Sequence, residues 1–503
     1  MNMKIHFKNI LLASLFQVAF LLISQAQTAT DAWRPLVHFS PQKNWTNDPN
    51  GLIYFKGYYH IFFQHNPIAN EWGNMSWGHA RSKDLLHWEE LPLAIPHGEE
   101  YIFSGCVVWD KEHVSGLGDP QKELLVAIYT ADYPNKKQEQ HLAYSNDDGL
   151  TWTKYLHNPI LDINLLNFRD PSVIWHNSSK QFVMSVAKPT ERSVQFYGSK
   201  NLLNWELLSE FSNQGELDMI WECPSLAELL VEGSEKETKW VLFNSTQGVQ
   251  KGFVGMQYFV GEFNGKTFTN ANPPETKLFV DYGKDFYAAI PFYNAPNQEV
   301  LWLGWALSWQ YAKEQPTFPW KGQMSSIRKL SLINSPDGLR LKQEFRPNFS
   351  EVEPTFQIKD VSITKSKVLS GIKLLQNKSY IIELDVEGTT SDRWGLKWQS
   401  ADNLQEFTVV GFDEIKKQWF IDRSKSGKIL SPGFFKIDSA PWHEGESRQL
   451  RVWVDHSMLE LLAQDGIVAI SSLRFPLGKK ENLSVFSDKG KLDLKQIRIW
   501  ELK

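Results

Sequence analysis

One short pattern returns along the chain at nearly even intervals and narrows the possible folds more than any other feature. Ser82-Lys83-Asp84 ahead of Trp88 reads as the end of a strand, a polar turn and then an aromatic. The same shape returns as Ser145-Asn146-Asp147 ahead of Trp152 and Ser199-Lys200-Asn201 ahead of Trp205, and more loosely as Asn264-Gly265 ahead of Phe268. The aromatics are 64, 53 and 63 residues apart, enough for one four-stranded sheet with loops but too little for a core of its own. Short β-rich runs lie between the markers: Tyr58–Phe63, Leu124–Tyr129, Phe182–Val186, Trp240–Phe243 and Val300–Leu303. No long stretch has helical periodicity. A fifth unit fits between Phe286 and Leu332. Repeated sheets of this size bury their faces against one another around an axis, and five units predict a five-bladed β-propeller.

The repeat stops near Glu351. From there strands and turns alternate (Tyr380–Val386, Phe407–Val410, Trp419–Ile421, Arg448–Val454, Met458–Leu462), with turn chemistry at Asp465-Gly466 and Ser487–Gly490. This reads as an antiparallel β-sandwich, with strand Leu450–Val454 in its core. At the other end, Lys4 and Lys8 precede an apolar run from Ile10 to Ile23, and Ser24-Gln25-Ala26 offers a cleavage site. That is the pattern of a secretory signal peptide. No later apolar run is long enough to span a membrane. The expected organisation is all-β: leader 1–26, propeller 27–350, sandwich 351–503, in a secreted or periplasmic protein with no membrane attachment after cleavage.

Composition excludes several functions. The net charge is −5 with no basic run, which argues against nucleic-acid partners. Two cysteines, Cys106 and Cys223, cannot form a disulfide framework or a four-ligand zinc site. The 21 tryptophans exceed what core filling needs, and flat aromatic faces stack on sugar rings.

In a propeller the innermost strand of each blade lines the axis. Unit one opens with Trp45–Gly51, unit three with Phe168-Arg169-Asp170-Pro171 and unit four with Trp221-Glu222-Cys223-Pro224. Each carries a carboxylate beside aromatics and a proline at the same stage, so Asp48, Asp170 and Glu222 are expected to converge on one pocket. Converging carboxylates serve either metal ligation or glycosidic chemistry. An EF-hand alignment on Gly51 puts Thr46 and Gly57 at ligand positions and fails, and zinc, phosphate-loop and nucleophile-elbow motifs are absent. The reading is glycoside chemistry with no metal and no cofactor.

With those residues in place, the chain from about Phe39 to Pro476 resembles glycoside hydrolase family 32, the invertase, levanase and inulinase group. Asn44–Gly51 is similar to the family's nucleophile motif, Arg169-Asp170-Pro171 to its middle motif and Trp221–Pro224 to its acid/base motif. Supporting matches include Phe62-Phe63-Gln64, Trp72-Gly73, Phe103-Ser104-Gly105, Asp285–Ala288 and Gly304-Trp305. Departures are Thr46, Cys106, Ser225 and Ser308, which bear on acceptor and linkage preference. The resemblance implies a retaining β-fructofuranosidase acting on terminal units of fructans (levan or inulin) or on sucrose. Asp48 would be the nucleophile, Glu222 the acid/base, and Asp170 the transition-state stabiliser, oriented and kept ionised by Arg169. Asn47, Gln64 and Ser104 would bind hydroxyls, and Trp72, Phe103 and Trp305 would wall the pocket. Endo-acting fructanase, fructosyltransferase, pentose-specific glycosidase and non-catalytic sugar-binding propeller are the competing readings.

Overall fold

The structure is a computed structural model that describes residues 31–502 except 32, 248–253, 350, 370–377, 446 and 479. The expected leader lies outside the described residues.

Five sheets follow in chain order, and in each the four blade strands are antiparallel and run in chain order from the inside outwards. Their first strands are Asn44–Phe55, Tyr101–Trp109, Arg169–His176, Ile220–Leu230 and Tyr287–Pro291. These five touch one another in a closed ring, the last returning to the first. The fold is a five-bladed β-propeller, and each β-rich run read between the sequence markers falls in the second strand of its blade. Burial follows position. The second strand of blade two, Leu125–Tyr133, is covered on both faces by adjacent blades and is apolar almost throughout. In the outermost strand of blade three, Glu206–Ser212, only Phe211 is buried.

The repeated Ser-x-Asp/Asn marker is the turn between third and fourth strands. Ser82 Oγ accepts the N–H groups of Asp84 and Leu85, and Asp84 Oδ1 those of Leu86 and His87. Ser199 and Asn201 repeat the arrangement on Asn201, Leu202, Leu203 and Asn204. Ser145 and Asp147 take Asp147, Gly149 and Thr151 in the same way. A short polar side chain that satisfies two backbone donors makes this tight turn local, and hence repeatable. The fifth blade extends beyond the expected Leu332. Ile327–Ser335 is its third strand, and its turn comes at Ser335–Gly338, with no aromatic after it, before the fourth strand Gly338–Arg346. The ring is also clasped by Trp320–Lys321, which pairs in parallel with Asn44 and Trp45.

Two six-stranded sheets, the first strand beginning at Phe356, form the C-terminal β-sandwich. Trp394, Trp398 and Trp419 pack between them among Ile, Leu and Val side chains. Val452 and Val454 of strand Leu450–Asp455 lie in that core. The sandwich sits directly on the propeller. Segment 281–285 runs along strand Val468–Leu473, with Tyr282 N–H donating to Ala469 O at 2.8 Å. A Cβ on Gly283 would lie 1.9 Å from Ser471 O, so only glycine permits this approach. Buried charges cross the same interface. Arg328 binds Asp281 on its own side at 2.9 Å and Glu460 of the sandwich at 2.6 Å, and His38 lies 2.8 Å from both Glu460 and Asp455.

Candidate active site

Each inner strand breaks its pairing register at the same point: between Thr46 and Pro49, Ile102 and Gly105, Arg169 and Ser172, Glu222 and Ser225, and Tyr287 and Ile290. In every blade two residues of the inner strand oppose one on its neighbour, a β-bulge. The bulged pairs are Asn47-Asp48, Phe103-Ser104, Asp170-Pro171, Cys223-Pro224 and Ala288-Ala289. Asp170, Cys223 and Ala288 hold left-handed φ values of 65°, 46° and 53°. Such a conformation is costly for a residue with a Cβ and persists where surrounding structure enforces it. The prolines at 171 and 224 occupy bulge positions that need no ladder donor. Gly51 closes the first motif at φ 52°, where a Cβ would meet Val107 at 2.6 Å.

The bulges meet at one end of the axis around a cavity of about 380 Å³. Asp48, Asp170 and Glu222 all line it, together with Asn47, Gln64, Trp72, Phe103, Ser104 and Arg169. Asp48 Oδ2 accepts from Ser104 Oγ at 2.7 Å, and Oδ1 from Asn47 Nδ2 at 3.1 Å. The Cys223 thiol lies 3.5 Å from Asp48 Oδ2 and 3.5 Å from Asp170 Oδ2, so one sulfur separates two carboxylates. Burial raises the Asp48 carboxyl above its ordinary value, and Glu222 adds to the rise; the donors Ser104, Asn47 and Cys223 oppose it. Burial also pushes Asp170 up to about 7, with the Glu222 and Asp48 charges adding to the effect and Arg169 and the Cys223 N–H working against it. The Cys223 thiol itself is pushed far above its usual range by burial among these acids, which leaves it a small buried neighbour rather than a nucleophile.

Arg169 departs from expectation. Its guanidinium reaches across to the next blade and grips Glu222 Oε1 through Nη2 at 2.6 Å and Nε at 3.0 Å, while Asp170 stands 3.9 Å away. Asp170 is instead held by the Cys223 N–H at 2.9 Å. Both side chains reach strand Ile220–Leu230 of the next blade, but Asp170 meets the backbone of its bulge at Cys223 while Arg169 meets the Glu222 carboxylate. Glu222 Oε2 takes two further partners, Gln247 Nε2 at 2.5 Å and the Tyr287 hydroxyl at 2.6 Å.

Trp305 does not wall the pocket. It is fully buried behind it, packed against Trp45 and Trp309, and Trp309 provides the face on the pocket. Asp132, Gln138 and Gln247 also line the cavity without belonging to any motif. They sit at or near strand ends (Leu125–Tyr133, Lys137–Ser145, Thr238–Gln247) that the fold points toward the axis. The only sequence signal for them was the end of a second strand, or the start of a third, in each blade.

An all-β propeller carrying three converging carboxylates, fused to a sandwich, defines a class of glycoside hydrolases. The chain belongs to one family of that class: residues 38–344 match the glycosyl hydrolases family 32 N-terminal domain, and residues 350–501 match the family 32 C-terminal domain. It is 39% identical to a levanase of Bacillus subtilis, in an alignment covering 94% of this chain and 70% of the levanase. Among solved structures it resembles an exo-inulinase from Aspergillus awamori, with a TM-score of 0.86 and 33% identity over 94% of this chain and 98% of that one. A β-fructofuranosidase from Schwanniomyces occidentalis complexed with fructosyl-erythritol gives a TM-score of 0.83 at 33% identity, covering 93% and 98%.

Proposed function

We propose that the protein is an exported, retaining β-fructofuranosidase that removes terminal fructosyl units from fructans of the levan and inulin type, and from sucrose. The observation that carries this reading is that Asp48, Asp170 and Glu222 line one pocket, with the buried Cys223 thiol 3.5 Å from both Asp48 and Asp170. A carboxylate held by Ser104 and Asn47 is oriented to attack, and Asp48 forms a bond to the anomeric carbon as the glycosidic bond breaks. Glu222 delivers its proton to the departing oxygen. In the second step Glu222 takes a proton from water, whose oxygen displaces Asp48 and releases fructose. A hydroxyl can donate or accept, so Tyr287 can stay bonded to Glu222 in both protonation states. Asp170, with one oxygen on the Cys223 N–H, has the other free for sugar hydroxyls and for the positive charge that develops on the ring.

Chain-end attack is favoured by the cavity's volume, which lies at the small end of ligand sites, and by relatives named exo-inulinase. Export rests on the Lys4–Ala26 pattern and on the word extracellular in those relatives' names; secreted protein should begin at Gln27 by intact mass. The test is a product profile on levan, inulin and sucrose. Monomeric fructose without an oligosaccharide ladder is expected. A ladder would replace this reading with endo attack, new fructosylated products with transfer, and no release at all with a sugar-binding propeller.

A further inference from the structure

The sandwich does more than cover the propeller. Asp285 lies two residues before Tyr287, whose hydroxyl is bonded to Glu222. Its carboxylate is fully buried at the interface and is held from the sandwich side: Oδ2 accepts from Arg423 Nη1 at 2.5 Å and from the Leu473 N–H at 2.8 Å. The Tyr311 hydroxyl donates to Asp285 Oδ1 at 2.7 Å and accepts from Arg423 Nη2 at 2.8 Å. Arg423 also donates through Nε to Phe434 O and through Nη1 to Leu473 O, its Nη2 lies 3.7 Å from Asp438 Oδ2, and its guanidinium lies 4.0 Å over the Phe434 ring. Segment 281–285 is further bonded to strand Val468–Leu473 by Ser471 N–H to Asp281 Oδ1 at 2.8 Å. The chain that delivers Tyr287 to the pocket is therefore anchored on the sandwich before it enters blade five.

We propose that Arg423 is a positioning residue of the active site, acting through Asp285 to set the Tyr287 hydroxyl against Glu222. Four acceptors on one guanidinium, two of them a buried carboxylate and a phenol that also bond each other, define the position of Asp285 more tightly than packing alone would. A small displacement of Tyr287 weakens the delivery of the Glu222 proton and leaves Asp48 and the sugar pocket in place. The inference rests on the reading of Glu222 as acid/base, and the experiment separates the two.

Arg423→Met and Tyr311→Phe are compared with wild type and with Glu222→Gln on sucrose and on a nitrophenyl fructoside, below the melting temperature of each. A nitrophenolate leaves without protonic help; glucose does not. General acid catalysis is worth about 10²–10⁴ in rate, so partial misplacement should cost about tenfold in kcat/KM on sucrose and under about twofold on the aryl substrate. Inhibition by fructose, which reads the sugar pocket, should stay unchanged. Arg423→Met also leaves Asp285 without its cation and is the variant at risk of not folding; Tyr311→Phe removes one hydroxyl and then decides alone. Parallel losses on both substrates, following the folded fraction, would overturn the proposal and make Arg423 a stability residue only. If Glu222→Gln itself shows parallel losses, the acid/base assignment falls instead.

Discussion

Arg169 binds Glu222 of the neighbouring blade, with Nη2 2.6 Å from Oε1, rather than its chain neighbour Asp170. In the proposed mechanism it therefore orients the proton donor, and its fork matters. Arg169→Lys keeps the charge but cannot make both contacts on Oε1. The expected outcome is a kcat/KM on sucrose lowered by about one to two orders of magnitude, with a smaller loss on an aryl fructoside. Arg169→Lys with wild-type kinetics on sucrose would remove Arg169 from the machinery.

Asp48→Asn keeps the shape that Ser104 and Asn47 hold and removes the attacking oxygen's charge. Loss of a covalent nucleophile should lower turnover by roughly 10⁴ or more at an unchanged melting temperature. Near-normal kcat in a folded variant would end the assignment.

Asp170 supplies a test by titration. Burial, with the Glu222 and Asp48 charges, holds it at about 7, so the empty pocket carries Asp170 protonated at pH 6 and ionised at pH 8. The ionised form accepts two hydroxyls where the acid accepts fewer, so fructose should bind more tightly above the transition than below it. The midpoint should fall in Asp48→Asn, which removes a repelling charge, and rise in Arg169→Gln, which removes an attracting one. Carboxyl-carbon NMR across pH 4–9 reads these shifts, and a midpoint that ignores both substitutions would show that the three acids are not electrically one site.

The parts of this architecture that could be read from the sequence are the parts held by local chemistry. The Ser82/Asp84, Ser145/Asp147 and Ser199/Asn201 turns satisfy their backbone donors within a few residues, so each blade carries its own marker. Asp48, Asp170 and Glu222 could be phased because the bulge recurs at one stage of every inner strand. What was not legible depends on neighbours distant in the chain. The partner of Arg169 lies on another blade, and no spacing rule says which way a side chain leaves a bulge. Trp305 sits in a regular strand with its ring in the core, whereas Trp309, on the pocket, lies in an irregular segment without periodicity. The two-residue clasp Trp320–Lys321 is too short to leave any pattern. Asp132 and Gln247 reach the pocket only because blades converge at the axis.

His38 ties the start of the propeller to the sandwich, and its charge should show in stability. Burial alone would lower its pKa, but the bonds to Asp455 and Glu460 outweigh burial and raise it from 6.5 to about 9. A group whose folded value is raised binds its proton more tightly in the native state. Its contribution is complete below pH 6.5, declines as pH rises, and is gone once pH has passed through about 9. The magnitude is up to about 3 kcal/mol. On the acid side Glu460, buried but held by Arg328 and His38, sits at about 2, so its own contribution is complete above about 4.5 and is lost as pH falls toward 2. His38→Gln should therefore melt well below wild type at pH 6, where buried Asp455 has lost its cation and Glu460 keeps only Arg328. The gap should narrow steadily between pH 6.5 and 9.5 as wild-type His38 gives up its proton. Thermal melts of both proteins at half-unit pH steps measure this directly, and a gap that stays constant over that window would mean His38 is held as a neutral ring and contributes by shape alone.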